Sequence, residues 1–278
     1  MIVDAHVHLI DPTRPQGVPL PEPSDTFLYR PWLPQHLRAL AEPLGVGGAI
    51  AIEWSTWTVD NQWLLDLADA DPFVIGVVGN LEAGEPGFTD RLERYAAHAR
   101  FVGIRVGTPW CPLALANPQL IDDLRSLAAA GLAMDAVTVG GGGLMLLDAL
   151  LVLTERVPAL RVVVDHLPFA VPSDAHGRYT SALRELASRP NVFAKISNVL
   201  PRTGAIPSDP AFYKPIIEDV IDAFGPDRII YASNWPVSTR VAPYDRAYGV
   251  LRRYFDGCAP EVAEKFFGAN ALVAYRRG

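Results

Sequence analysis

Apolar and polar positions along the chain fall into a repeating two-part pattern. Short runs rich in Val, Ile and Ala, several of them apolar without strict alternation, recur at residues 2–8, 48–55, 73–80, 101–106, 132–137, 161–166, 192–197 and 228–233. Such runs suit strands covered on both faces, as in a parallel sheet. Between them, apolar residues return with helical spacing over 61–70, 89–99, 118–130, 143–154, 179–188 and 211–224. Asp60 and Asn117 are candidate helix N-caps, and Gly225-Pro226 ends the helix before the last strand. Eight strand units in succession, each followed by a helix except at the first, predict one (β/α)8 TIM-like barrel, a single α/β domain spanning residues 1–278. An open doubly wound sheet is the alternative. No Gly-x-Gly-x-x-Gly follows the first strand, which disfavours its dinucleotide-binding version.

One stretch breaks the pattern. From Leu9 to Pro34 there are prolines at 12, 15, 19, 21, 23, 31 and 34. That density forbids a helix and favours extended and turn backbone. Leaving the first strand, this long loop lies over the C-terminal face of a barrel, as a lid for a site or as an interface arm. The run Gly140-Gly141-Gly142-Gly143 precedes a helix and reads as an anion site or as a flexible loop.

Composition narrows the class. The chain has 278 residues, half of them hydrophobic and 20% charged, which is a globular composition. Net charge is −7 with no run of Lys and Arg, which argues against a nucleic-acid partner. Cys111 and Cys258 make no disulfide framework and fit a reducing compartment. The first strand begins at once, so no signal peptide is expected. The longest apolar stretch, 140–153, holds four glycines and Asp148 and is too short for a bilayer. A soluble cytoplasmic protein is expected, with no membrane partner.

In such a barrel, chemistry collects at the C-terminal strand ends. Polar groups stand at each: His6 and His8, Glu53, Asn80, Arg105, Asp135, Asp165 with His166, Lys195 with Ser197, and Asn234. Burying unpaired charge is costly, so packing alone does not account for the set. Side chains at i and i+2 share a strand face, so Asp4, His6 and His8 are expected together, with two imidazoles converging where the strand stops. Such a pair can hold a metal ion, an oxyanion or a carboxylate; otherwise it is a hydrogen-bonded core pair. Because neighbours alternate, only one of Asp165 and His166 is expected to face inward, and Asp165 then holds the strand or a nearby loop.

Arg105 suits a substrate carboxylate or a polarised carbonyl, or else a structural salt bridge. Glu53 reads as a ligand, an acid/base group or a partner for Arg or Lys. Lys195 reads as an electrophile, a substrate contact or a buried ion pair, and Asp135 as structural. Trp54, Trp57 and Trp110 can wall a site for a ring-shaped ligand. His36, His98 and His176 are expected at the surface. Cys111 has no His-linked nucleophile motif around it.

The opening Asp4-Ala5-His6-Val7-His8-Leu9-Ile10-Asp11-Pro12, with Gly103-Ile104-Arg105, Asp165-His166-Leu167, Ser233-Asn234-Trp235-Pro236-Val237 and the ending Phe266-Phe267-Gly268-Ala269-Asn270-Ala271, resembles the amidohydrolase-related (amidohydrolase 2) family. Within it, the chain looks like the lactonase branch of fuconolactonase-like and pyrone-dicarboxylate-lactonase-like enzymes. The resemblance covers essentially the whole chain and specifies no substrate. It implies a distorted (β/α)8 barrel hydrolysing a small polar, sugar-derived lactone or carboxylic ester. His6, His8, Arg105, His166 and Asn234 would then be catalytic, and Glu53, Trp54, Trp110 and Lys195 would contact substrate. Members of this branch differ in metal use. Some hold one divalent ion, here zinc or manganese on His6, His8 and His166; others polarise the carbonyl with His and Arg alone.

The family's strand-eight residue is Asp, and this chain has Asn234. A neutral carboxamide cannot serve as a general base. Three readings follow. The base comes from Glu53, His166 or a bound metal; or the enzyme is an intramolecular lactone isomerase, whose substrate supplies its own attacking hydroxyl; or the Asn is an engineered replacement that traps a ligand. A metal-dependent decarboxylase and an inactive binding homologue also suit the fold, which alone does not separate these reactions. The expected partner is a small lactone or carboxylate, and a homo-oligomer is compatible with the sequence.

Overall fold

The computed structural model describes residues 1–107, 115–138, 142–169, 173–201, 206–207 and 209–277. Eight strands pair in chain order, all parallel: β1 (Ile2–Val7), β2 (Val46–Ile52), β3 (Val74–Gly79), β4 (Phe101–Val106), β5 (Ala133–Ala136), β6 (Arg161–Leu167), β7 (Val192–Ile196) and β8 (Ile229–Tyr231). The barrel closes just past β8. Asn234 N–H donates to His6 O at 2.9 Å, and His8 N–H donates to Trp235 O at 2.7 Å. The strand-eight motif is therefore also the seam of the barrel.

Helices alternate with the strands: α1 (Pro34–Ala41), α2 (Asp60–Ala70), α3 (Phe88–Ala96), α4 (Pro118–Ala129), α5 (Gly143–Arg156), α6 (His176–Ala187), α7 (Lys214–Phe224) and α8 (Tyr244–Phe255). Two short helices, α9 (Pro260–Glu264) and α10 (Asn270–Ala274), flank a π-turn at Lys265–Ala269. A helix does follow the first strand, because Pro34 ends the Pro-rich segment and opens α1 at a position where its missing N–H costs nothing. Asn117 caps α4 as expected, its side chain accepting from Gln119 N–H at 3.0 Å. Asp60 is no cap. It lies inside the first turn of α2, and its carboxylate takes both ends of the Arg14 guanidinium at 3.0 and 3.1 Å. Among the described residues, no helix is long and apolar enough to cross a membrane.

The core has two parts. The larger lies between strands and helices. The smaller fills the barrel, where Val3, Ile50, Val102, Val163, Phe193 and Ile230 meet Ala271, Ala274 and Tyr275 from the chain end. Register slips occur at Ile2/Val3 between β1 and β2, at Ala49/Ile50 between β2 and β3 and at Val77/Val78 between β3 and β4, and two more lie near the strand ends that carry the histidines. β1 slips register against β2 between Asp4 and Val7, and β6 slips against β7 between Val164 and Leu167. The slip after Asp4 separates it from the histidines. Its carboxylate accepts from Ser233 N–H and Tyr244 Oη, both at 2.9 Å, so it braces α8 against the seam. Burial pushes that carboxyl up to about 6, against the pull of these hydrogen bonds.

The Pro-rich segment packs back on the barrel. Ile10 bridges Trp32, whose ring stands edge-on to Trp235 at 5.4 Å. Cys258 is half-buried. Trp110, Cys111, Gly140 and Gly141 lie outside the described residues.

Candidate active site

At the end of β1, the His6 and His8 rings meet with their Nε2 atoms 3.2 Å apart. Hydrogen-bond partners assign the protons. His8 Nδ1 is 2.8 Å from Ile52 O, and a carbonyl only accepts, so Nδ1 carries the hydrogen and Nε2 the lone pair. His6 Nδ1 lies 3.2 Å from both Asp165 Oδ1, an acceptor, and Lys195 Nζ, a donor; in the tautomer that donates to the carboxylate, its Nε2 is also a lone pair. Two acceptors thus face each other. A proton between them is disfavoured. Burial holds both rings well below the ordinary imidazole range, with Lys195 adding to this at His6 against the pull of Asp165, and Arg105 adding to it at His8.

A divalent cation fits this arrangement. Two ring nitrogens bound at zinc distances in tetrahedral geometry lie roughly 3.3 Å apart. His6, Asp165 and His166 also present ligand atoms that all lie within 4.8 Å of one another. The oxygen Asp165 Oδ2 is buried without a hydrogen-bond partner. It faces Arg105 Nε at 3.6 Å.

Beneath the histidines lies a buried charged layer. Lys195 Nζ reaches Asp135 Oδ2 at 2.5 Å, Asp165 Oδ1 at 2.9 Å and His6 Nδ1 at 3.2 Å. Burial would raise Asp165, but Lys195 and then His6 hold its carboxyl well below the usual range. Burial raises Asp135 to about 7 against the pull of Lys195, and Tyr275 Oη donates to both of its oxygens. Of the readings open for Lys195, this geometry is the buried ion pair. Asp135 is fully buried and partnered by Lys195 and Tyr275.

The expectation that Asp165 and His166 point opposite ways is overturned. His166 has φ 62°, in the left-handed region, where the strand slips register. That turn brings both side chains inward: Asp165 to His6, and the His166 ring to 4.4 Å from the His6 ring. His166 Nδ1 is held by Ser197 Oγ at 2.7 Å. Asn234 and Asn198 are likewise left-handed, with φ 58° and 54°. Asn234 Nδ2 donates to Asn198 Oδ1 at 3.2 Å, while Asn234 Oδ1 is buried without a partner. A small cavity opens beside Asn198, walled by Val199, Leu200, Tyr231 and Leu251.

Other expected positions fall differently. Asn80 is structural, bonded to Asn61 and to Ser55 O. Trp54 stands edge-on to His8 at 4.7 Å, while Trp57 is turned outward and 38% exposed. Glu53 turns away from the histidines. Its Oε1 accepts from the Trp54 and Ser55 N–H groups, and it lines a cavity with Arg14, Asp60 and Trp63. The sequence reading missed Asp165 as a site residue because the alternation rule assigned it outward. It missed Asn198 because nothing in the pattern marks a carboxamide that holds another one.

Comparisons place this arrangement among known proteins. The Amidohydrolase family profile matches residues 3–277. An L-fucono-1,5-lactonase of Burkholderia ambifaria is 32% identical over 290 residues, covering 99% of this chain and 95% of that one. A Burkholderia multivorans protein of the same name is 26% identical over 248 residues, covering 82% and 79%. The crystal structure of a Burkholderia multivorans amidohydrolase with bound zinc has a TM-score of 0.85 at 24% identity, over the whole of both chains, which is a likeness of fold. With paired histidines at the first strand end of this barrel and a profile matched almost end to end, the chain belongs to the amidohydrolase family.

Proposed function

We propose that this protein is a lactonase that opens a small, hydroxylated, sugar-derived lactone by hydrolysis. The facing Nε2 lone pairs of His6 and His8 carry the reading, because they prepare a place for an electrophile at the strand ends. The names of the relatives, including an L-rhamnono-gamma-lactonase 25% identical over 187 residues, support the substrate class. His6, His8 and the unpartnered Oδ2 of Asp165 would hold a divalent ion, zinc or manganese, which when bound would polarise the carbonyl and acidify water.

The protein's own groups do the rest. Asp165 fixes the His6 tautomer, and Ile52 O fixes that of His8. Arg105 sits beside Asp165, where a guanidinium can steady the oxygen that gains charge. Asn234 Oδ1 accepts a hydrogen bond from the attacking water and so orients it. His166, held by Ser197, takes the water's proton and returns it to the ring oxygen as the acyl C–O bond breaks. The test is a panel of aldonolactones followed by acid release, with zinc or manganese supplied and then removed by chelation. Ring opening lost on chelation is expected; no turnover of any aldonolactone overturns the proposal.

Asn234 supports a second reading. Its carboxamide orients a nucleophile without taking its proton, which suits a substrate hydroxyl attacking its own lactone. An isomerase would interconvert ring sizes with little net acid. Asn234→Asp would then raise acid formation by roughly tenfold or more. No gain of hydrolysis in that variant removes this role for Asn234.

A further inference from the structure

We infer that Asn198, the second residue beyond β7, is a positioning residue: it turns the Asn234 carboxamide so that Oδ1, and not Nδ2, is offered to the attacking oxygen; that oxygen's part in the reaction rests on the function proposed above. β7 ends at Ile196. The next residue, Ser197, holds the His166 ring, and Asn198 holds Asn234. Two successive residues at one strand end thus anchor both groups assigned to the water. Asn198 reaches Asn234 where its backbone turns left-handed, at φ 54°. That region favours Gly, Asn and Asp, and of these only Asn and Asp carry a side-chain acceptor.

The backbone of Asn234 is fixed on both sides. Its N–H donates to His6 O, and its C=O accepts from Ser238 N–H, both at 2.9 Å. The backbone therefore sets where the carboxamide lies, but not which way it faces. A half-turn about the last side-chain bond exchanges Oδ1 for Nδ2 in nearly the same volume. The two ends do opposite things to a water. An acceptor takes one of its hydrogens and leaves the oxygen lone pair free to attack. A donor occupies that lone pair. Among the described residues, the Asn234 side chain has one hydrogen-bond partner. Nδ2 donates to Asn198 Oδ1 at 3.2 Å, and Oδ1 is left buried without a donor. Asn198 Oδ1 only accepts, so it claims the donor end and leaves the acceptor end for a guest. A buried acceptor without a donor is costly, and an O–H group that reaches it removes the cost.

Two variants at one position test this. Asn198→Gly keeps the left-handed turn without strain and removes the acceptor. With an aldonolactone, kcat is expected to fall about tenfold or more while KM stays within about twofold. Asn198→Asp tolerates the same backbone and can only accept, so its kcat should lie within about threefold of the parent. Side-chain amide NMR reads the pairing directly. The Asn234 Nδ2 signal, identified by its loss in Asn234→Asp, should be protected from exchange with solvent in the parent and in Asn198→Asp, and unprotected in Asn198→Gly. A kcat within about twofold of the parent in Asn198→Gly, or an Asn198→Asp no faster than Asn198→Gly, would overturn the role. If the parent opens no lactone, the proposed function falls and the amide signal alone decides: protection lost only in Asn198→Gly keeps the positioning, and equal exchange in all three proteins removes it.

Discussion

The two ends of the barrel interior follow different rules. Toward the N-terminal strand ends, Val3, Ile50, Val102 and Ile230 alternate with residues that face the helices, and Ala271, Ala274 and Tyr275 close that end. Toward the C-terminal ends, β1 and β6 slip register, and His166, Asn198 and Asn234 turn left-handed. Alternation builds a packed apolar interior, and it also forbids consecutive residues from sharing a face. A site that needs Asp165 and His166 together exists because the rule is broken there. Register also slips among the core residues, at Ile2/Val3, Ala49/Ile50 and Val77/Val78, so the difference lies in the left-handed backbone of three non-glycine residues, which the site needs and the packed interior does without.

The charged layer between the two ends gives the largest expected effect. Lys195 stands between Asp135 and Asp165 with all three side chains fully buried. Lys195→Met leaves two carboxylates facing each other in the interior. Removing one partner of a buried pair costs about 3–5 kcal/mol, so denaturant unfolding should show a loss of that order. A loss under about 1 kcal/mol would mean that the layer is not what separates core from site.

The next effect is one of pH and belongs to the irregular end. Glu53 titrates from 4.5 in the unfolded chain to about 7 in the folded one, because burial disfavours its charge. A raised pKa means that the folded state holds the proton more tightly. Its contribution is complete below pH 4.5 and is lost as pH rises through 7, a change of about 3 kcal/mol. Relative to the parent, Glu53→Gln should gain stability between pH 4.5 and pH 8. A constant difference across that range would show Glu53 to be solvated.

How much of this was legible beforehand follows the same division. The runs that became β1 to β8, and the helices between them, announced the barrel because apolar periodicity reports which faces are covered. The strand-end list named His6, His8, Arg105, His166 and Asn234 because polar residues at the ends of buried strands are conspicuous. The pairings escaped it. A register slip leaves no mark on composition, so alternation groups Asp4 with the histidines and turns Asp165 away from them. Asp60 looked like a cap because its short acidic side chain suits one; its partner Arg14 lies 46 positions away, beyond local pattern.

Val163→Ala probes the regular end. Val163 is fully buried in the barrel interior, where a lost pair of methyl groups leaves a cavity that its neighbours cannot fill. A loss of about 2 kcal/mol is expected, with turnover of an aldonolactone essentially kept. If activity falls as steeply as stability, the two ends are not separable.

Three residues along the same strand, His166→Gly should give the smallest stability change and a far larger functional one. At φ 62° a side chain with a Cβ is strained by about 1–2 kcal/mol, and glycine is not. Glycine also gives the unfolded chain more freedom, which costs about 0.5–1 kcal/mol. The two terms oppose, so stability measured in the presence of chelator should stay within about 1 kcal/mol of the parent. Losing the ring held by Ser197 should still lower turnover by roughly a hundredfold, the scale of a positioned proton-transfer group. A stability loss equal to that of Val163→Ala would show that His166 packs as core. A neutral stability change with lost turnover would show that this position is kept for its chemistry, against the conformational preference of the residue that occupies it.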